Sequence, residues 1–162
     1  MKEEGWDLNE KRFRRYLEEH YSVVKAYYFI GRLGGYEELY KNLKNKGYEL
    51  IYKKAFRTPA GNIKGNVDAE IVLQAMIDYD KYDKAVIVTS DGDISCLIRY
   101  LEENNKLMSV LAPSRSSCSA LIKKAAKGRL SYIGELRSKL EYHKKSEERP
   151  CKDGTSHHLS SS

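Results

Sequence analysis

The segment Thr89-Ser90-Asp91-Gly92-Asp93 places two aspartates one residue apart, directly after a short apolar run. In an open parallel sheet, residues just past the carboxyl ends of strands face the crevice in which ligands bind. Two carboxylates this close repel each other unless protons or a cation neutralise them. Because Mg²⁺ and Mn²⁺ prefer carboxylate oxygens, the pair predicts a divalent-metal site. The structural alternative makes Asp91 a turn residue and Asp93 the N-cap of the next helix.

A third aspartate, Asp68, lies at the start of a predicted helix. Its buried stripe is defined by apolar residues at helical spacing, namely Val67, Ile71 and Ala75. Asp68 is one position off that stripe, so its carboxylate could face the same crevice as the aspartate pair. Lys64, four residues earlier, either pairs with Asp68 or meets a substrate phosphate. An acid in a first helical turn also complements the helix dipole, and this role stays open.

Basic residues lie near these acids in the sequence. They occur in the stretch 53–64, at Arg115 and in the stretch 123–129. An acidic centre within a basic rim suits a polyanion that is held while a metal acts on one phosphate. The serine-rich run from Ser114 to Ser119 also offers hydroxyls and backbone N–H groups to an anion. Some of the 13 tyrosines could stack on unpaired bases. Solvated helix faces and core packing remain the alternatives for these residues.

Other catalytic motifs fit less well. The segment Asp91-Gly92-Asp93-Ile94-Ser95 matches the D-x-D-x-S/T pattern of haloacid-dehalogenase-like phosphatases, whose further motifs need more chain than follows. An EF-hand loop beginning at Asp91 fails because Cys96 stands where the sharp turn needs glycine. Cys–His catalysis has little support, since the 4 histidines lie at predicted helix ends or in the polar tail. No glycine-rich phosphate loop is followed by a Lys-Ser/Thr pair.

Positioning these acids requires short strands that alternate with helices. Apolar or β-branched runs predict strands at residues 23–30, 49–53, 85–90 and 107–112. Helical spacing predicts helices beginning near residues 13, 36, 67, 94 and 121, and a last helix from Tyr132 to about Tyr142. Asp78, Asp80 and Asp83 are expected to cap and solvate the turn before the third strand. The alternation implies an α/β fold with a mainly parallel sheet and helices on both faces.

Length and composition are typical of one globular domain. The chain has 162 residues, a net charge of +6 and 41% apolar residues. No apolar run approaches the roughly 20 residues of a membrane span, and no signal-like apolar segment opens the sequence. The 3 widely spaced cysteines favour a reducing cytoplasm over a disulfide framework or a zinc ribbon. Residues 143–162 are polar and predict a disordered tail after a domain at 1–142.

The order of the two acidic motifs resembles a known family. Lys64-Gly65-Asn66-Val67-Asp68-Ala69-Glu70 comes first, and the run from Tyr82 to Asp93 follows. The pattern is completed by a Leu-Ile helix, a strand ending in Val-Leu-Ala-Pro-Ser, Ser119 and a terminal helix. Over about residues 6–142 this sequence resembles the NYN domain, and more narrowly the LabA-like branch of the PIN-like ribonuclease superfamily.

The resemblance implies a Rossmann-like three-layer α/β/α sandwich with acids at the strand ends. It implies Mg²⁺- or Mn²⁺-dependent cleavage of RNA by a metal-activated water, with Lys64 and Ser90 as helpers. The preference for RNA over single-stranded DNA comes from the family alone, and a homodimer stays open. The expected catalytic and metal-binding acids are Asp68, Asp91 and Asp93, and the expected substrate contacts are Ser90, Arg115, Ser119 and Lys123.

The start of the sequence departs from the family pattern. Members normally open with a central strand ending in Asp-Gly-x-Asn, whose aspartate is the first metal ligand. This sequence begins Met1-Lys2-Glu3-Glu4-Gly5-Trp6, and Asp7 precedes a helix. We therefore expect the first central strand to be missing, through truncation or in a divergent member with impaired catalysis. The leading hypothesis is a metal-dependent ribonuclease, and the alternative is a non-catalytic RNA- or protein-binding module on the same fold.

Overall fold

The computed structural model describes residues 5–54, 56–57, 63–64 and 66–142, so the predicted tail at 143–162 lies outside it. The strands are β1 (Tyr27–Arg32), β2 (Glu49–Lys54), β3 (Phe56–Arg57), β4 (Ile63–Lys64), β5 (Ala85–Val88), β6 (Leu107–Ala112) and β7 (Leu130–Tyr132). The helices are α1 (Glu10–Tyr21), α2 (Glu37–Asn45), α3 (Asp68–Ile77), α4 (Ser95–Glu103), α5 (Ala120–Ala125) and α6 (Arg137–Leu140). Short 3₁₀ turns lie at Tyr79–Lys81, Gly92–Ile94 and Ile133–Leu136. None of the helices in these ranges has the length and apolar character needed to cross a bilayer.

The described strands form two parallel sheets and one short antiparallel pair. β1 pairs with β2, and β5, β6 and β7 pair in that order, all in parallel. β3 and β4 form the antiparallel pair. The predicted α/β class, with parallel strands covered by helices, is confirmed.

Helices cover both faces of the sheet formed by β5, β6 and β7. Val86 and Leu111 point to one face, where they pack with Phe13 and Leu17 of α1. Ile87 and Val110 point to the other face, where they pack with α3, α4 and α5. This alternation follows from the two-residue period of a strand. The result is a three-layer α/β/α arrangement around this sheet.

Two helices, α1 and α3, connect the two parallel sheets. Arg14 of α1 donates hydrogen bonds to the backbone oxygens of Val23 and Val24, which precede β1. Glu70 of α3 forms a 3.0 Å ion pair with Lys53 of β2. Both helices also contribute apolar side chains to the cores around β5 and β6. The two sheets are therefore joined by one helix on each face.

The first predicted strand, at 23–30, is misplaced by four residues. β1 begins at Tyr27, and Val24 is 92% exposed. The β-branched pair Val23-Val24 looked like a strand start, but the guanidinium of Arg14 binds both carbonyl oxygens. A carbonyl oxygen held by a side chain in this way is drawn away from a strand ladder. The third predicted strand also ends early, at Val88 rather than at residue 90.

The last predicted helix, from Tyr132 to about Tyr142, is only partly correct. Leu130–Tyr132 pairs with β6 as β7, a 3₁₀ turn covers Ile133–Leu136, and only Arg137–Leu140 is α-helical. The N–H of Gly134 bonds to the carbonyl oxygen of Pro113, which follows β6. This bond and the β6 pairing hold the segment against the sheet. The apolar spacing that predicted a helix buries Ile133 and Leu140 in this other conformation.

Asp78, expected at a solvated turn, is instead buried between α3 and β1. Its carboxylate accepts hydrogen bonds from Lys81 Nζ and Gln74 Nε2 at 2.8 Å each, and from the hydroxyl of Tyr27. These three hydrogen bonds hold the pKa of Asp78 well below its usual range. The bond from Lys81 lowers the pKa most, followed by those from Tyr27 and Gln74. The carboxylate therefore connects β1 to the end of α3.

Asp78→Asn is expected to lower the free energy of unfolding near neutral pH, and to lower it progressively less as the pH falls below about 4. The folded-state pKa lies below the unfolded value of about 3.9, so the charged carboxylate stabilises the fold above about pH 4. That contribution is lost as the pH falls through the folded pKa. Urea unfolding at about pH 7 and about pH 2 measures the two losses of stability, with Asp83→Asn, at an exposed acid, as the control. An equal loss at both pH values would show that packing, not charge, is responsible.

Candidate metal centre

Three carboxylates meet at the carboxyl end of β5. Asp68, Asp91 and Asp93 each offer an oxygen, and these oxygens all lie within 4.8 Å of one another. Asp68 is the first residue of α3, while the other two flank the glycine that opens the 3₁₀ turn after β5. The structure therefore brings together the three acids that the sequence singled out. Asp68 is half-buried, and the other two are exposed.

Short hydrogen bonds shape both segments that carry these acids. Asp91 N donates to Thr89 Oγ1, and Asp93 N donates to Asp91 Oδ1, each at 3.0 Å. Asp68 N donates to Asn66 Oδ1 at 2.8 Å. Thr89 and Asn66 were not assigned roles from the sequence. The sequence could have indicated these roles. The side chain of a Thr or Asn in a turn commonly accepts a hydrogen bond from the backbone N–H two residues later.

Ser119 packs directly against the aspartate turn. Its N–H donates to the carbonyl oxygen of Ser90 at 3.1 Å, and its Oγ accepts from Leu121 N at 3.2 Å as the N-cap of α5. A Cβ placed on Gly92 would lie 2.7 Å from Ser119 Oγ. The turn can therefore sit this close to α5 only because residue 92 has no side chain.

The inner oxygen of Asp68, Oδ2, is buried and has no hydrogen-bond partner in the part of the chain that the structure describes. A buried carboxylate oxygen without a donor is costly, and two further carboxylates nearby add repulsion. A divalent cation held by oxygen ligands would remove both costs. The donor set, three carboxylates and no thiolate or imidazole, suits Mg²⁺ or Mn²⁺.

An apolar groove begins beside the acids. It has a volume of about 450 Å³ and runs from Asp68 and Asp93 along α3, where Val72, Leu73 and Met76 line it. Its lining past the two acids carries no charged group. The sequence did not predict this groove, because the exposure of α3 depends on what lies against it in space.

The predicted basic contacts have protein partners of their own. Arg115 forms a 3.0 Å ion pair with Glu135 and lies over the ring of Tyr132, 4.7 Å from its centroid. Lys123, one turn after Ser119, donates to the backbone oxygen of Arg115 at 3.0 Å. Lys64 ends β4. The catalytic role of Lys64 and the substrate contacts of Ser90, Arg115, Ser119 and Lys123 stay predictions.

Comparison with known proteins decides the family. The family model described as the NYN domain matches residues 2–131. This chain belongs to the NYN family. NYN domains form a PIN-like nuclease family that is typically metal-dependent and acts on RNA, and the aspartate cluster fits that chemistry.

Fold similarity extends to a solved structure. The chain is similar to a protein of unknown function from Vibrio parahaemolyticus, with a TM-score of 0.67 and 21% identity. The similarity covers 85% of this chain and 83% of the other. At this identity it shows the fold alone. A comparison with curated proteins finds no match.

Mn²⁺ is expected to raise the melting temperature of the chain, and Asp68→Asn is expected to abolish that rise. A ligand at 100 times its dissociation constant stabilises the folded state by about 2.7 kcal/mol. In EDTA the variant should melt at or above the wild-type temperature, because one of three repelling charges is gone. Thermal unfolding with and without Mn²⁺ measures both effects, and Asp83→Asn should keep the shift. The same Mn²⁺ shift in Asp68→Asn would exclude Asp68 as a ligand.

Proposed function

We propose that this NYN protein is a metal-dependent ribonuclease of the LabA-like branch that hydrolyses RNA phosphodiester bonds. One observation carries the proposal: three carboxylates converge at a strand end, and the buried oxygen of Asp68 has no described donor. A purely structural role would leave that oxygen paired. The apposed acids need a neutralising partner, and a divalent cation is one that also acts on phosphates.

Asp68, Asp91 and Asp93 would hold Mg²⁺ or Mn²⁺. When bound, the metal supplies charge stabilisation at the phosphoryl oxygens and lowers the pKa of water. Asp68 is the most buried of the three and would fix the ion against α3. Asp91 Oδ1 accepts a hydrogen bond from the N–H of Asp93, which orients the Asp91 carboxylate. The other oxygen of Asp91 would then be available to the ion.

Substrate would approach along the rim formed by α5 and the loop before it. Ser119 and Ser90 lie against the aspartate turn, with Lys123 one helical turn away. Arg115 is mostly exposed and could exchange its ion pair with Glu135 for a phosphate, since an exposed pair contributes little to stability. Lys64 would serve as a further cation at the site. Cytoplasmic location and single-stranded or structured RNA as substrate belong to the same proposal.

The test is cleavage of a labelled single-stranded RNA. EDTA should abolish cleavage, and excess Mn²⁺ or Mg²⁺ should restore it. The cleavage activity must co-elute with the protein on a size-exclusion column, which separates the protein from contaminating ribonucleases. The elution volume also shows whether the protein is a homodimer. Cleavage that persists in EDTA would overturn the proposal.

The second candidate is a non-catalytic RNA- or protein-binding module. The edges of β1 and β5 that pair with no other described strand favour it, because an open strand edge invites another polypeptide. Metal-independent, salt-sensitive RNA binding without cleavage would support this candidate.

A further inference from the structure

A large apolar side chain, Leu121, lies exposed beside the three acids. It is 58% exposed in the first turn of α5. A Cβ placed on Gly92, the glycine between Asp91 and Asp93, would lie 3.2 Å from Leu121 Cδ1. A single exposed leucine is common on protein surfaces. This one forms an apolar shelf that is continuous with the turn carrying two of the acids.

Lys124 lies on the same side of α5, one turn after Leu121. Residues three apart in a helix share a face and are separated by about 4.5 Å along the axis. Lys124 is exposed, and its ammonium group has no hydrogen-bond or ion-pair partner among the described residues. Lys123 differs, since its Nζ donates to Arg115 O at 3.0 Å, in the loop before α5. Of the two lysines of α5, Lys124 is therefore the one that carries an unpaired charge next to the shelf.

Arg99 of α4 lies level with Lys124. The parallel strands β5 and β6 lead into α4 and α5, so both helices begin at the same edge of the sheet, and each cation is the fifth residue of its helix. Leu121 contacts the turn from which α4 begins, so the Leu121–Lys124 side of α5 is turned toward α4. Arg99 shares a side of α4 with Glu102, which forms a 2.7 Å ion pair with Lys127 just after α5. Leu121, Lys124 and Arg99 therefore belong to one surface, the α4–α5 surface.

The charge of the α4–α5 surface is positive. Residues 104–134, which include α5 and the strands on either side of it, contain 6 Lys or Arg and no Asp or Glu. Arg99 is exposed and, like Lys124, has no ion-pair partner in the described part of the chain. The acids of α4 lie at its far end, where Glu102 is paired with Lys127 and Glu103 is the last residue. Such a surface attracts a polyanion, and it begins at the metal centre.

We propose that the α4–α5 surface holds the nucleotide next to the one at the metal centre, with Leu121 against its base and Arg99 and Lys124 on its phosphate. The inference rests on the proposed function, because it takes single-stranded RNA as the ligand. Phosphate contacts fix the register of a bound strand, and an apolar contact with the face of a base is tolerant of sequence. The three side chains are positioning residues, since they hold the strand without touching the phosphate that reacts.

The test measures the affinity of the full chain for a fluorescein-labelled single-stranded RNA of about 12 nucleotides. Fluorescence anisotropy is recorded in EDTA, so that no cleavage occurs, at several salt concentrations. Lys124→Ala and Arg99→Ala should each weaken binding at least about threefold and lower the slope of log affinity against log salt by about 0.7. Lys11→Ala removes an exposed lysine of α1, on the opposite face of the sheet, and should change neither quantity. A merely structural role would not alter the salt dependence.

Leu121→Ala should weaken binding about fivefold and leave the salt dependence unchanged, because it removes apolar contact and no charge. Leu39→Ala, at a leucine of α2 that is 43% exposed, is the matched control and should bind as the wild type does.

The inference is overturned if the wild-type chain does not bind the RNA, or if Lys124→Ala and Arg99→Ala keep its affinity and its salt dependence. If such variants bind normally while the wild type cleaves RNA with Mn²⁺, only the inference fails and the proposed function stands. The expected binding losses without any Mn²⁺-dependent cleavage would support the inference and contradict the nuclease. An equal loss in Lys11→Ala would show that total charge, rather than this surface, determines binding, and would also overturn the inference.

Discussion

Replacing Asp91 with asparagine is expected to lower the rate of Mn²⁺-dependent RNA cleavage by at least about 100-fold. The substitution keeps the shape of the side chain and keeps an oxygen that can accept the N–H of Asp93. Asparagine is also as good an N-cap as aspartate, so the 3₁₀ turn at Gly92–Ile94 should persist. What the variant loses is one negative charge of the three that would hold the ion.

The measurement is the single-turnover cleavage rate at several Mn²⁺ concentrations, with Asp83→Asn as the matched control. Asp83 is exposed and lies outside the cluster, so its variant should cleave at the wild-type rate. If Asp91→Asn binds Mn²⁺ more weakly, excess metal should recover part of the rate. Wild-type cleavage by Asp91→Asn would show that the activity does not use this cluster.

The position of the acids could be predicted from the sequence because it depends on local patterns. Asp91 and Asp93 follow a short apolar strand, and the carboxyl ends of parallel strands share one edge of the sheet. Asp68 opens the helix before that strand, which brings it to the same edge. The side-chain roles at the site do not follow from such patterns. The bond from Ser119 N to Ser90 O joins the start of α5 to the end of β5 and is visible only in the fold.

The errors in the strand and helix predictions have long-range causes. Val23 and Val24 have high strand propensity, yet Arg14 from the preceding helix binds their carbonyl oxygens. Leu130–Tyr132 becomes a strand because β6 offers a free edge, although the following apolar residues repeat with helical spacing. Propensity and periodicity describe a segment alone, and here the tertiary partner decided its conformation.

The apolar stripe of α3 shows that a sequence pattern also cannot predict how deeply a residue is buried. Val67, Ile71 and Ala75 were predicted to be buried, and the structure leaves all three half-buried. Ile71 and Ala75 pack against the core around β6, but the neighbouring face of the helix is open. A sequence pattern identifies which side of a helix is apolar. It does not say whether another element covers that side.

Gly92→Ala is expected to weaken Mn²⁺ binding by about tenfold and to lower the free energy of unfolding by about 1 kcal/mol. The added Cβ would lie 2.7 Å from Ser119 Oγ and 3.2 Å from Leu121 Cδ1. The φ angle of Gly92 lies outside the left-handed region, so the backbone itself tolerates alanine. The cost is steric. Either Ser119 rotates and loses its cap bond to Leu121 N, or the turn carrying Asp91 and Asp93 moves away from α5.

Gly34→Ala is the matched control, because a Cβ on Gly34 meets nothing within 4 Å and its φ is also outside the left-handed region. It should leave both Mn²⁺ affinity and stability unchanged. A double-mutant cycle with Ser119→Ala separates the two explanations. If the clash with Ser119 Oγ displaces the acids, Gly92→Ala should weaken Mn²⁺ binding much less when that oxygen is absent. If the two substitutions reduce affinity additively, contact with Ser119 is not what holds Asp91 and Asp93 in place, and Leu121 becomes the group that the new methyl displaces.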